Sequence, residues 1–197
     1  MKVFWFDCET SGLDHVKHGI LSLGYIVEID GEVRDEGVMQ NRPFPTKELD
    51  GSALAVNGFT REQIAGFPET RATHARLRKL WGGYVNPFDR ADKFTAAGYN
   101  VDFDLGFLRQ LFADCDDPYF GSWFGFGVID PGAILPFLKY AGRLDGFPVK
   151  MRLADAARFF GLEEPSTHDA LTDIRITREI VKKVVSQLSI GSTAVNP

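Results

Sequence analysis

At 197 residues, with 44% hydrophobic and 25% charged side chains, the chain is long enough for one substantial core and short for two. Its 27 acidic against 22 basic residues leave a formal charge of −5, which argues against a broad cationic surface but not against an acidic cluster that divalent cations would turn locally positive. Cys8 and Cys115 have neither zinc-ligand nor redox spacing and read as buried small hydrophobes, and the amino-terminal apolar run is too short for a bilayer span or a signal peptide, so a cytoplasmic location is expected.

The chain opens on a fully buried strand, KVFWFD (2–7), followed by ILSLGYIVEID (20–30) and the more polar EVRDEGVMQN (32–41). Asp30-Gly31 marks a hairpin between the last two, so the opening is antiparallel. KELDGSALAVN (47–57) and TREQIAGF (60–67) read as short helices, and ETRATHARLRKLWGGYV (69–85) as a longer one that Gly82, Gly83 and Pro87 stop. KFTAAGYN (93–100) is a fourth strand, DFDLGFLRQLFADC (102–115) a strongly helical segment, and FGVID (126–130) a short fifth strand. Asp130 before Pro131 has the pattern of an N-cap with proline at the first helical position, starting the helix PGAILPFLKYAG (131–142). MRLADAARFFGL (151–162) and a last helix over about 168–188 follow. No repeat or linker divides the chain, so residues 1–190 are expected to form one domain and 191–197 a short polar tail. Antiparallel strands followed by alternating strands and helices predict an α/β protein with a mixed sheet.

Chemistry concentrates in three places. In FDCETSGLD (6–14), Asp7 and Glu9 sit at i and i+2 and share a face if the strand continues, with Cys8 on the other. Two adjacent carboxylates stay ionised only around a positive partner; otherwise one takes a proton, or the strand has ended and both are solvated in a loop. A calcium-loop reading fails, because His18 stands where a bidentate glutamate is needed and a strand leads in. In the helix after Asn100, Asp104 falls in line with Phe107, Leu108 and Leu111, and a charge on a buried face needs a partner or a metal. Asp104 could instead be a helix cap, for which Asp102 and Asn100 compete. In STHDALTDIRITREIVKKVV, Ala170, Ile174, Thr177, Val181, Val184 and then Leu188 trace one face, with Asp173 beside it. Thr167 is a natural N-cap, placing His168 in the first turn and about 140° around the helix from Asp173, so the two can flank a site without chelating one ion as neighbours. His15 and His18 lack a third soft ligand, and YFGSWFGFG (119–127) reads as a packed loop more than a base-stacking platform.

Taken in order, Asp7-x-Glu9, Asn100-x-x-x-Asp104 and His168-x-Ala-Leu-x-Asp173 resemble the DEDD 3′-to-5′ exonucleases, in the subgroup with a histidine in the last motif, the family of the polymerase III epsilon subunit, RNase T and oligoribonuclease. The resemblance implies an RNase H-like fold, a five-stranded sheet in order 3-2-1-4-5 flanked by helices, and selects Asp104 over Asp102 and Asp173 over Asp169. Tyr99, where relatives often have histidine, and Cys8, where threonine is common, depart from the family pattern. It further implies that Asp7, Glu9, Asp104 and Asp173 bind two divalent cations, Mg²⁺ or Mn²⁺ as suits oxygen ligands, with Asp7 shared between them. His168 would accept the proton of the attacking water, a role its ordinary pKa of about 6.5 permits. Thr10 and Leu13 would meet the terminal nucleotide, Asn100 would add a contact, and Phe59 is conjectured to pack on a base. The expected substrate is the 3′ end of a single strand, DNA favoured over RNA, with nucleoside 5′-monophosphates released. A silent binding module of the same fold is the rival reading, and a polymerase partner or a homodimer carries over weakly. SIGSTAVNP (189–197) leaves little room for a polymerase-tethering extension, so a stand-alone enzyme is expected at least as much as a subunit.

Overall fold

The computed structural model describes residues 1–148, 150, 152–164 and 169–190, so His168, Thr167 and the tail from residue 191 lie outside the described residues. The elements are β1 (Lys2–Thr10), β2 (Ile20–Ile29), β3 (Glu32–Gln40), α1 (Gly51–Asn57), α2 (Arg61–Ala65), α3 (Thr70–Gly82), β4 (Phe94–Ala97), α4 (Val101–Asp114), β5 (Phe124–Ile129), α5 (Pro131–Tyr140), α6 (Leu153–Phe159) and α7 (Ala170–Ile190). They build a five-stranded sheet in the order β3-β2-β1-β4-β5, as the resemblance implied. β2 runs against β1 and β3, while β1, β4 and β5 are parallel.

β1 is apolar on both faces because both are covered. Phe4, Phe6 and Cys8 enter the main core with Leu77 and Trp81 of α3 and Phe107, Leu108 and Leu111 of α4. Val3 and Trp5 face the other way, packing with Ile26, Ala97 and Ile174 of α7. β1 is therefore the strand on which the two helical layers converge, and whatever stands at its carboxyl end is reached from both sides.

Element ends differ from expectation where side chains set them. β1 runs three residues further than the expected strand 2–7, to Thr10, pairing Asp7 with Gly24 and Glu9 with Ser22, so both acids lie within the strand and not in a solvated loop. α1 begins only at Gly51 because the Asp50 carboxylate accepts the Ser52 N–H at 2.7 Å. β4 stops at Ala97, before the turn in which Asn100 takes a left-handed conformation (φ 57°, ψ 46°). α7 begins at Ala170, where the Asp169 carboxylate accepts the Thr172 N–H (3.2 Å) and hydroxyl (2.6 Å). Asp169 thus satisfies donors of the first turn, while Thr167, expected to cap this helix, lies outside the described residues. The buried stripe of α7 includes Ile180, and Leu188 is exposed. Among the described residues no helix is long and apolar enough to cross a membrane.

Candidate active site

A glycine brings the first half of the site together. Gly24 lies opposite Asp7 on β2, and a Cβ there would sit 2.3 Å from the Ala170 carbonyl carbon and 2.4 Å from the Leu171 nitrogen. The first turn of α7 therefore rests directly on the sheet, and Asp173, one turn along, reaches Asp7 and Glu9. Carboxylate oxygens of Asp7, Glu9 and Asp173 lie within 4.8 Å of one another. Asp104 approaches from the opposite layer. It is buried at the start of α4, and its Oδ1 accepts the backbone N–H of Cys8 at 2.9 Å. It stands outside the trio but is fixed to the residue between Asp7 and Glu9.

Asp104 is not the cap of its helix. The Asp130 carboxylate serves there, accepting the N–H groups of Asn100 (2.9 Å) and Val101 (3.2 Å) while also capping α5 through Gly132 N–H (2.7 Å). One side chain thus ties two helix starts together. Asn100 makes no side-chain cap bond, and its Oδ1 occupies the space where a Cβ on Gly132 would stand, 2.3 Å away.

Burial sets the electrostatics. The Glu9 carboxyl is pushed up to about 7, first by desolvation and then by the negative charges of Asp173 and Asp169. Asp104 also rises to about 7 through desolvation, against the hydrogen bonds it receives from Cys8. Asp7 is raised well above the carboxylate range by desolvation first, then by Asp104, Asp173, Glu9 and Asp169. Carboxyls so arranged bind either protons or cations. The oxygens that meet are hard donors, and the Cys8 thiol, which lies against Asp104, is pushed well up by burial and by the neighbouring carboxylates, so the set fits a hard divalent cation.

Of the residues expected to meet substrate, Thr10 ends β1, Leu13 lies on the loop after it and Asn100 precedes α4. Thr10 is buried, with its hydroxyl donating to the Gly12 carbonyl (2.7 Å) and its own carbonyl accepting from Asn57 Nδ2 (2.8 Å). Leu13 is 84% exposed. The loop is braced by buried Lys47, which donates to the Val16 carbonyl (2.8 Å) and pairs with Asp114 (2.8 Å). His15 sets its ring edge-on to Phe107, and His18 lies against Gly12, so neither histidine belongs to the acidic site. Phe59 is half-buried, its ring packed edge-on to Phe67 against the cluster of Leu21, Leu54 and Ile64. Phe120 and Trp123 of the aromatic segment are packed as expected, but Phe126 is fully exposed. His168 lies outside the described residues.

Sequence reading missed four contributors: Gly24, Asp169, the Cys8 N–H and Asn57. Gly24 had a signal, since a glycine inside an apolar strand marks a close backbone approach. The Cys8–Asp104 bond joins residues 96 apart and had none.

The chain matches the RNase T family of exonucleases over residues 4–181. A stretch of 107 residues, 53% of this chain, is 31% identical to the PolC-type DNA polymerase III of Latilactobacillus sakei, of which it covers 6%. The fold is similar to that of E. coli exonuclease I in a zinc-bound complex with single-stranded DNA (TM-score 0.78, 21% identity, 94% of this chain and 40% of that one). It is also similar to exonuclease I from Methylocaldum szegediense (TM-score 0.73, 20% identity, 98% of this chain and 41% of that one). The chain therefore spans about two fifths of those exonucleases and a small part of the polymerase.

Proposed function

The chain belongs to the RNase T exonuclease family, of the DEDDh 3′-to-5′ type, and on that premise we propose that it removes nucleotides from the 3′ end of single-stranded nucleic acid, DNA in preference to RNA. The observation that carries this reading is the meeting of Asp7, Glu9 and Asp173 oxygens at the end of β1, with Asp104 fixed beside them. Residues 1–190 would form the exonuclease domain.

Asp7, Glu9 and Asp173 would hold one divalent cation, and Asp7 with Asp104 a second, magnesium or manganese in each case. Bound cations supply the Lewis acidity that stabilises charge on the attacking and leaving oxygens of a phosphodiester. The protein's own part is to hold Asp7, Glu9 and Asp104 where burial keeps them from ionising freely, beside Asp173, so that cations would replace protons there. His168 would take the proton of the attacking water, as the family's last motif suggests. Leu13, exposed at the loop beside the site, offers an apolar contact to the terminal base; the carbonyl that Thr10 keeps in place with Asn57 fixes the loop's root, and Asn100 is a third contact.

The preference for DNA draws support from the fold's likeness to exonucleases solved with single-stranded DNA. Digestion of 5′-labelled DNA and RNA of one sequence in magnesium tests it. Faster stepwise shortening of DNA is expected; faster shortening of RNA would make the protein an exoribonuclease instead.

A further inference from the structure

A groove of about 720 Å³ lies between the outer face of α4 and the edge strand β5. Three cationic side chains line it, Arg90, Lys93 and Arg109, against one carboxylate, Asp102. Arg90 and Arg109 form no ion pair among the described residues, whereas Arg42, Arg71, Arg158, Arg175 and Arg178 all do. Arg109 is steadied instead by a ring, its guanidinium lying 5.5 Å from the centre of Phe120. Lys93 is held upright by two carbonyls, of Pro87 and Ser122. In a chain of net charge −5, such a concentration of unmatched positive charge stands out against the average surface.

The aromatic content points the same way. In FGFGVI of β5, Gly125 and Gly127 flank Phe126, and the ring is fully exposed. A bare ring between two glycines, beside unmatched bases, has the makeup of a stacking platform in an electrostatic channel for single-stranded nucleic acid. The groove starts at the turn of α4 that carries Asp104: Asp102 and Leu105 line it on the outer face, while Asp104 points inward to the backbone of Cys8.

We infer that this groove, through Arg90, Lys93, Arg109 and Phe126, holds the part of a single-stranded nucleic acid that lies upstream of the 3′ end engaged at the carboxylates. The inference rests on the exonuclease reading for its direction, but the groove can be judged on binding alone. The Arg90→Gln, Arg109→Gln and Phe126→Ala variants remove two phosphate-binding charges and the stacking ring, and Arg90→Gln leaves the core untouched.

Anisotropy of a labelled single-stranded oligonucleotide, measured without divalent cation over a salt series, should show binding weakened roughly tenfold by Phe126→Ala. In the double arginine variant the slope of log affinity against log salt should fall by about 1.4, which is 0.7 for each phosphate no longer neutralised. Turnover of a thymidine monophosphate nitrophenyl ester, too small to reach the groove, should stay unchanged in all three. Unaltered oligonucleotide affinity and salt slope would overturn the groove, and so would an equal loss on the small ester. A wild-type protein that binds oligonucleotide with these dependences yet cleaves neither substrate would keep the groove and sink the exonuclease reading.

Discussion

Asp7→Asn and Asp104→Asn keep side-chain volume and remove one charge each, so they separate what the carboxylates do for the fold from what they do for chemistry. Losing several kcal/mol of transition-state stabilisation corresponds to roughly 10²–10³ in rate. In metal-free buffer the same variants should melt no lower than the wild type, and higher where repulsion is relieved, since each carboxyl can ionise there only at the cost of desolvation. Differential scanning of metal-free protein alongside single-turnover rates checks both. Protonation follows the same logic. Glu9 and Asp104 keep their protons to about 7 in the folded protein but lose them near 4 when unfolded. Between those values the folded state binds more protons, so metal-free stability should fall as pH rises from about 5 to 7.5 and recover when magnesium is added. Stability that rises over that interval would contradict the raised carboxyl pKa values. His168→Ala should slow hydrolysis by roughly 10² or more if the imidazole takes the water's proton. A change of only a few-fold would assign that proton elsewhere.

At the scale of elements, the site depends on how closely α7 lies on the sheet. Gly24→Ala places a methyl where the Ala170–Leu171 backbone runs, so α7 must lift or tilt. We expect a loss of about 1–3 kcal/mol in stability, as for overpacking, and a fall in kcat greater than tenfold because Asp173 withdraws from Asp7 and Glu9. Two ion pairs, Arg175 with Glu36 and Arg178 with Glu28, tie the same helix to β3 and β2, and they do not reach the turn that Gly24 admits. Much of this layer was legible in the sequence. The continuous apolar run of β1 announced a strand covered on both faces, and the stripe through Asp104, Phe107, Leu108 and Leu111 announced which face of α4 turns inward. The polar residues Cys8 to Thr10 disguised the end of β1, because nothing local distinguishes a strand that carries ligands from a loop that carries acids. At the start of α7 the Asp169 carboxylate reaches both the amide and the hydroxyl of Thr172, a contact that spacing alone does not announce. Asp130 was legible as the cap of α5, but its second task, at the start of α4, depends on β4 and β5 being neighbours.

For the whole molecule, the puzzle is an acidic protein whose family acts on a polyanion. Its resolution lies in where charge is placed, not in its sum. Asp7, Glu9 and Asp173, with Asp104 fixed beside them, are concentrated where cations would convert repulsion into attraction, and in the groove beside α4 Arg90 and Arg109 form no ion pair among the described residues. The two helical layers meet at the end of β1, so one point on the sheet receives carboxylates from α4 on one side and α7 on the other. That convergence brings together carboxylates spread from residue 7 to residue 173. The most direct test follows a 5′-labelled single strand with either a free or a phosphorylated 3′ end, incubated in magnesium and again after chelation. A ladder shortening from the 3′ end, seen only with the free hydroxyl and only with magnesium, is the expected result; internal cuts, or shortening that survives chelation, would contradict the account.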